Sequence, residues 1–188
     1  LTRQGLSIVA EQLRWLEEFV KAVMIEGRDF GVIPGTAKPT LFKPGAIKLI
    51  AAYQCHSDPQ PLSEIRDLSQ GFIYYKFVVN VVLNSTGEVR AKGFGSANSF
   101  EPKWRWRKAE RLCPSCGKPG IIKGKEEYGG GWLCWPKKGG CGAKFDDTDE
   151  EITGQDVGKV LNPDPMGDDN TILKMAIKRA EVDAAMRL

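Results

Sequence analysis

Four of the five cysteines stand in a spaced pattern: Cys113-Pro-Ser-Cys116, seventeen residues, Cys134, six residues, Cys141. The tight turn between cysteines at x2 spacing points both sulfurs inward, so Cys113 and Cys116 can share one ion. The second pair is looser, and its insert Trp135-Pro-Lys-Lys-Gly-Gly140 has to bulge out. Gly117 and Gly142 follow the first knuckle and the last cysteine, where the backbone must turn back to aim amides at the thiolates. Four thiolates close a tetrahedron, so the expectation is one structural zinc with no open coordination position. Cys55 lies outside the pattern and is expected to be packed in the core. His56 is far away in sequence and is expected to be a surface or capping residue.

The surface of this module is basic, with Lys118, Lys123, Lys125, Lys137, Lys138 and Lys144, and it holds Tyr128, Trp132 and Trp135. Lysines near rings suit a nucleic-acid strand, with phosphates on the ammonium groups and bases on the rings. Alternatively the rings form the small module's own core, the expectation for Trp132 because it lies close to a ligand. Just upstream, Lys103-Trp104-Arg105-Trp106-Arg107-Lys108 alternates ring and charge. An extended conformation sends the tryptophans one way and the arginines the other, whereas a helix splays them. Lys103, Trp104, Arg105, Trp106 and Arg107 are therefore candidate strand contacts. The competing reading is an edge strand with buried tryptophans and solvated arginines.

The chain has 188 residues, 41% hydrophobic, with a net charge of only +3; the signal is in the distribution, bases in 103–144 and acids in 146–151. A local basic stretch can bind nucleic acid even when the whole chain is nearly neutral. No catalytic constellation can be assembled. There is a single histidine, Gly129-Gly130-Gly131 lacks the Lys-Ser or Lys-Thr of a phosphate loop, and Gly93-Phe-Gly95 is a bare Gly-x-Gly. Asp146, Asp147, Asp149, Glu150 and Glu151 are the residues a magnesium-dependent nuclease would use, but such a run is more often a solvated face. The expectation is a protein without catalytic activity. No apolar run is long enough to span a membrane and no signal peptide is evident. The cysteine usage points to a reducing, cytoplasmic setting. Asn84-Ser85-Thr86 is read as turn chemistry and not as a glycosylation acceptor. The chain does not begin with Met and stops inside a helical pattern, so a fragment trimmed at both ends is expected.

The elements that must position these residues read as follows. A helix covers 6–26, with Leu6, Val9, Leu13, Leu16, Val20 and Val23 at helical spacing. A loop of Gly and Pro signals covers 28–44, and a short helix covers 45–53 with Ile47, Ile50 and Ala51 on one side. Pro59 and Pro61 close a turn before a short strand over 61–68. A long, mostly buried strand covers 72–83, a hairpin turn 84–87, and a return strand 88–94 that puts Arg90 and Lys92 on one face. Residues 146–168 read as a linker. A helix runs from residue 169, capped by Asn170, with Leu173, Ala176, Ile177, Ala180 and Ala184 as its apolar stripe. The fold class is α+β: an antiparallel sheet packed by helices, formed by 1–112 and 146–188, with 113–145 as an inserted zinc-ribbon-like module.

The strand hairpin, the return strand ending Gly93-Phe-Gly95-Ser96-Ala97 and the late helix Ile172-Leu-Lys-Met-Ala-Ile-Lys-Arg-Ala180 together resemble the single-strand annealing proteins of the Rad-fifty-two-like class, which includes phage recombinases. Asp29-Phe-Gly-Val-Ile-Pro-Gly35 and Thr40-Leu-Phe-Lys-Pro-Gly-Ala46 also resemble segments of phage and mobile-element proteins that carry the same zinc module. The resemblance implies a β-β-β-α core, single-stranded DNA along a basic groove, and assembly into rings or filaments. It places Arg90, Lys92, Lys174, Lys178 and Arg179 along that groove. The inserted module departs from the pattern. Two readings stand beside it, a zinc-ribbon module that contacts protein in a replication or transcription assembly, and the nuclease.

Overall fold

The computed structural model describes residues 3–188. It is mixed α+β with antiparallel sheets, and the chain divides into two units, the residues before Phe100 together with Met166–Leu188, and Phe100–Pro165. The cysteine module thus belongs to a unit wider than 113–145. The basic segment before it and the acidic stretch after it fold with it.

In the first unit, α1 (Arg3–Val23) has helical apolar spacing, yet none of its residues is buried. The expected loop over 28–44 contains two three-residue strands, β1 (Phe30–Val32) and β2 (Pro39–Leu41), paired antiparallel. Strands this short carry no readable period, and the Gly and Pro signals mark only the turn between them. Helix α2 (Lys43–Ala52) starts with Pro44 in its first turn, where a missing N–H costs nothing. Its buried side is Gly45, Ala46 and Ile50, not the side carrying Ile47, which is exposed.

Strand β3 (Cys55–Asp67) is longer than expected and runs straight through Pro59 and Pro61. The sheet order is β3-β4-β5, so β3 is an edge strand, where a proline without an N–H is tolerated; the register shifts between Pro61 and Ser63. Strand β4 (Phe72–Leu83) lies at the centre, as its β-branched and aromatic density requires. Its alternate residues Ile73, Tyr75, Phe77, Val79 and Val81 are buried. The turn at 84–87 closes through Gly87, at φ +73°, and β5 (Val89–Asn98) returns antiparallel. The register slips between Val81 and Val82, leaving Arg90 as the extra residue of a bulge.

In the second unit, α3 (Pro102–Arg105) is a single turn that leads into β6 (Trp106–Ala109). Strands β7 (Ile121–Lys123), β8 (Trp132–Cys134) and β9 (Lys144–Phe145) form a small antiparallel sheet. The expected linker over 146–168 is ordered: α4 (Glu150–Thr153) buries Ile152, and β10 (Gly158–Leu161) pairs with β6.

The chain then returns to the first unit as α5 (Asp169–Ala185). A 3-10 turn over Pro165–Asp168 precedes it, so Asn170 lies inside the first turn and is not the cap. Helix α5 lies on the sheet with Ile172, Ala176, Ala180 and Ala184 buried; Leu173 and Ile177 are only half-buried, so the stripe is rotated from the expected one. Small residues meet here from both sides, because Gly93 and Gly95 of β5 leave room for the helix backbone at Ala176, Ala180 and Ala184. One charge is buried in this layer. Glu181 accepts from Ser57 Oγ at 2.7 Å and faces Lys43 Nζ at 3.2 Å.

Candidate metal centre and nucleic-acid interface

Two loops bring the four cysteines together. In the first, Cys113 N–H donates to Lys118 O and Gly117 N–H to Cys113 O, which folds the Cys113–Cys116 turn into a knuckle. In the second, Cys134 closes β8, and the insert forms a 3-10 turn, Pro136–Lys138, before Cys141. Gly140 is where the return passes closest: a Cβ there would stand 2.5 Å from Cys134 Sγ. Cys113 Sγ lies 3.7 Å from Cys141 Sγ, and Cys116 Sγ lies 3.8 Å from Cys134 Sγ. All four sulfurs fall within 4.8 Å of one another. A tetrahedron with metal–sulfur bonds of about 2.3 Å has edges of about 3.8 Å, so these side chains fit a tetrahedral cation. Cys141 N–H also donates to Cys134 Sγ at 3.3 Å, an amide aimed at a ligand sulfur.

The sulfurs differ in proton affinity. Burial raises the Cys113 thiol, but the amides of Cys116 and Ser115 and the neighbouring sulfurs outweigh it and bring the thiol down to about 7. Cys134 is pushed up to about 11, first by burial, because the one amide it accepts does not compensate. Four thiolates this close repel one another, and a cation is what offsets that repulsion. Cys55 is buried at the start of β3, where its Sγ donates to Tyr53 O. His56 is exposed and pairs with Asn84 Oδ1 at 2.7 Å.

The basic aromatic segment is neither wholly strand nor wholly helix, since α3 ends and β6 begins between its two tryptophans. Trp104 is 4% exposed and belongs to the core of its unit, so it offers no stacking face. Lys103 Nζ sits 3.9 Å from the Trp104 ring. Arg107 Nη1 donates to the carbonyls of Lys103, Trp104 and Trp106, a bracing role. Trp106 is half-buried, with Arg105 at 5.5 Å and Lys159 at 4.5 Å from its ring. Trp106 borders a shallow depression of about 470 Å³ with Lys108 and Lys159. In the module, Trp132 is half-buried and not core. Arg111 and Lys123 cover its ring at 4.5 and 4.6 Å. The side chain of Tyr128 lies outside the described residues.

The residues assigned to a basic groove do not form one surface. Lys92 is exposed opposite Asn80 on the sheet face that points away from α5. Arg90, displaced by the bulge, reaches Glu88 at 3.5 Å and lines a cavity with Tyr53 and Leu188. The bulge breaks the alternation that would have paired Arg90 with Lys92. Lys174 and Lys178 are exposed on the solvent side of α5, beyond the helix from Lys92. Arg179 is held at the sheet edge, donating to Ser96 O at 2.6 Å.

Sequence reading missed the sheet's open face. Opposite the helix-covered face, β4 presents Tyr74, Lys76, Val78 and Asn80, and their partners on β5 are Asn98, Ser96, Phe94 and Lys92. Phe94 is 51% exposed. Lys76 and Lys92 on this face are exposed as well. An outer face of an antiparallel sheet is ordinarily polar, so exposed rings beside lysines are its signal. That signal is present in the alternate residues of 72–83 but is passed over when the strand is read as mostly buried.

The acidic run is structural: Asp147 pairs with Lys123, and Asp149 caps α4 by accepting from Glu151 N–H at 3.0 Å. Among the described residues, the four cysteines are the only group of three or more His, Cys, Asp or Glu that converges on one point, and no helix is long and apolar enough to cross a membrane. Compared with family models, with curated proteins and with solved structures, the chain matches none.

Proposed function

We propose that this chain is a non-catalytic single-stranded DNA-binding and annealing protein, acting as a homo-oligomer in recombination, repair or replication of a phage or mobile element, with one structural zinc in a ribbon-like module. The observation that carries this reading is the open face of β3-β4-β5. Lys76 and Lys92 are exposed there and make no ion pair among the described residues, while Phe94 lies between them and Tyr74 stands beyond Lys76 on the same face. Four strand positions separate the two lysines, about 13 Å at about 3.3 Å per residue, a span that a flexible phosphate chain bridges. Rings that stack any base and cations that bind any phosphate give grip without sequence readout. Such a grip leaves base edges free to pair.

The zinc assignment rests on four thiolate donors in tetrahedral spacing, the donor set of structural zinc. A second reading, in which the module contacts protein and not DNA, draws on Trp132. Arg111 and Lys123 already cover its ring, in place of a stacked base.

A titration of single-stranded and duplex oligonucleotides over a range of salt concentrations tests the function. Single-strand affinity should fall steeply with salt and vary little with sequence. Replacing Lys76 and Lys92 together by Ala should flatten the log–log slope by about 0.7 per lost contact. Phe94→Ala should cost about 1–3 kcal/mol of binding with the slope unchanged. Salt-independent binding, or none, removes the reading.

A further inference from the structure

The long first helix leaves most of its apolar side uncovered, and the spacing on that side says what covers it. Leu6, Val9, Leu13, Leu16, Val20 and Val23 recur at intervals of three, four, three, four and three. That is the 3.5-residue period of a coiled-coil seam, with Leu6, Leu13 and Val20 at a and Val9, Leu16 and Val23 at d. A helix that only rests on its own core needs no such period. Here Leu6 is 55% exposed, Val9 51% and Leu13 56%, and no residue of α1 is buried. The seam is only partly turned to the rest of the unit. Leu16 lines a cavity of about 440 Å³ with Trp15, Phe19, Leu49, Tyr53 and Leu188, whereas Leu6, Val9, Leu13 and Val23 are exposed.

We infer that α1 is the self-association surface of the protein, and that the exposed residues of its seam pack against the same seam of further copies as a helical bundle. This names the surface for the homo-oligomer proposed above and rests on that part of the reading. The seam is only about 25 Å long at about 1.5 Å per residue, a narrow strip beside the roughly 800 Å² that each partner gives to a stable interface. A bundle uses both flanks of each helix, and the exposed Ile8 widens the apolar arc accordingly. A lipid surface is the poorer occupant. Arg3, Arg14 and Lys21 are balanced by Glu11, Glu17 and Glu18, whereas helices that lie on membranes carry a basic polar face.

The test is the solution mass of the full chain by light scattering and sedimentation, for wild type, Leu13→Glu at a and Glu18→Lys on the outer face. Wild type and Glu18→Lys should share one mass of two or more chains. Leu13→Glu should raise the dissociation constant at least tenfold, because burying unpaired carboxylates costs well over the roughly 1.4 kcal/mol of a tenfold change. Its melting temperature under monomeric conditions should match that of monomeric wild type, since α1 contributes nothing buried. An unchanged oligomer in Leu13→Glu overturns the surface and leaves self-association standing. A monomeric wild type overturns both, and wild type that stays monomeric but binds phosphatidylcholine–phosphatidylserine vesicles, with Leu13→Glu released, assigns the helix to lipid instead.

Discussion

Gly93 and Gly95 resemble half of a phosphate-binding motif, yet their partner is a helix. A Cβ on Gly93 would stand 2.0 Å from Ala184 N and 2.4 Å from Ala180 O; on Gly95 it would stand 2.3 Å from Ala180 N. Those contacts are backbone and cannot rotate away, so α5 would have to lift. Gly93→Ala should therefore destabilise the first unit by about 1–3 kcal/mol or more, read from the denaturant midpoint. A midpoint equal to wild type would show that the helix does not sit this close. Asp29 acts at the same scale. It is fully buried, accepting from Ile25 N–H at 2.8 Å and Lys48 Nζ at 2.6 Å. The Lys48 bond, chiefly, holds its carboxyl below the ordinary value despite burial. A carboxyl lowered on folding stabilises the fold above its unfolded pKa, about 3.9, and loses that contribution as pH falls through the folded value. Asp29→Asn should lower the melting temperature at neutral pH, and the gap to wild type should narrow below about pH 4. A gap that stays constant with pH would place the stabilisation elsewhere.

At the scale of elements, both edges of the main sheet are closed to strand addition. Pro59 and Pro61 remove donors from β3. On β5, Phe94 N–H donates to Asp183 Oδ2 at 2.9 Å and Ser96 O accepts from Arg179, so α5 satisfies the edge it overhangs. Arg179→Ala with Asp183→Ala should cost about 0.5–1.5 kcal/mol per lost bond and increase aggregation on heating. If Arg179 instead grips phosphate, the same variant will flatten the salt slope of DNA binding and leave thermal behaviour alone. What was legible in the sequence follows from period and length. Residues 72–83 repeat their alternation often enough to be read, and Gly87 marks a turn only a positive φ allows. The three-residue strands β1 and β2 have no period to read. Pro59 and Pro61 look like breakers until β3 is known to be an edge, which is a tertiary fact. The 146–168 stretch looks like a linker because one buried residue, Ile152, and four paired ones hold it.

At the scale of the molecule, the chain order decides how a metal can matter. The second unit is inserted between β5 and α5, so the first unit's core closes through Ala176, Ala180 and Ala184 whatever the insert does. The second unit has little core of its own beyond Trp104, Ile152, Cys113 and Cys134, and two of these four are candidate ligands. For so small a core, metal binding supplies a large share of the folding energy. Elemental analysis should find about one zinc per chain. Chelation or Cys113→Ser should then abolish one of two thermal transitions, that of 100–165, and leave the first unit's transition in place. Removing one thiolate leaves three ligands and a weaker hold on the ion, and once the ion is lost the Cys134 thiol, which burial pushes up to about 11, takes up a proton. Zinc retention should accordingly weaken as pH falls, since protons compete for the thiolates. A metal-free protein that keeps both transitions would show that the four sulfurs converge for packing alone. A single transition lost as a whole would show that the insert and the sheet unit are energetically one body.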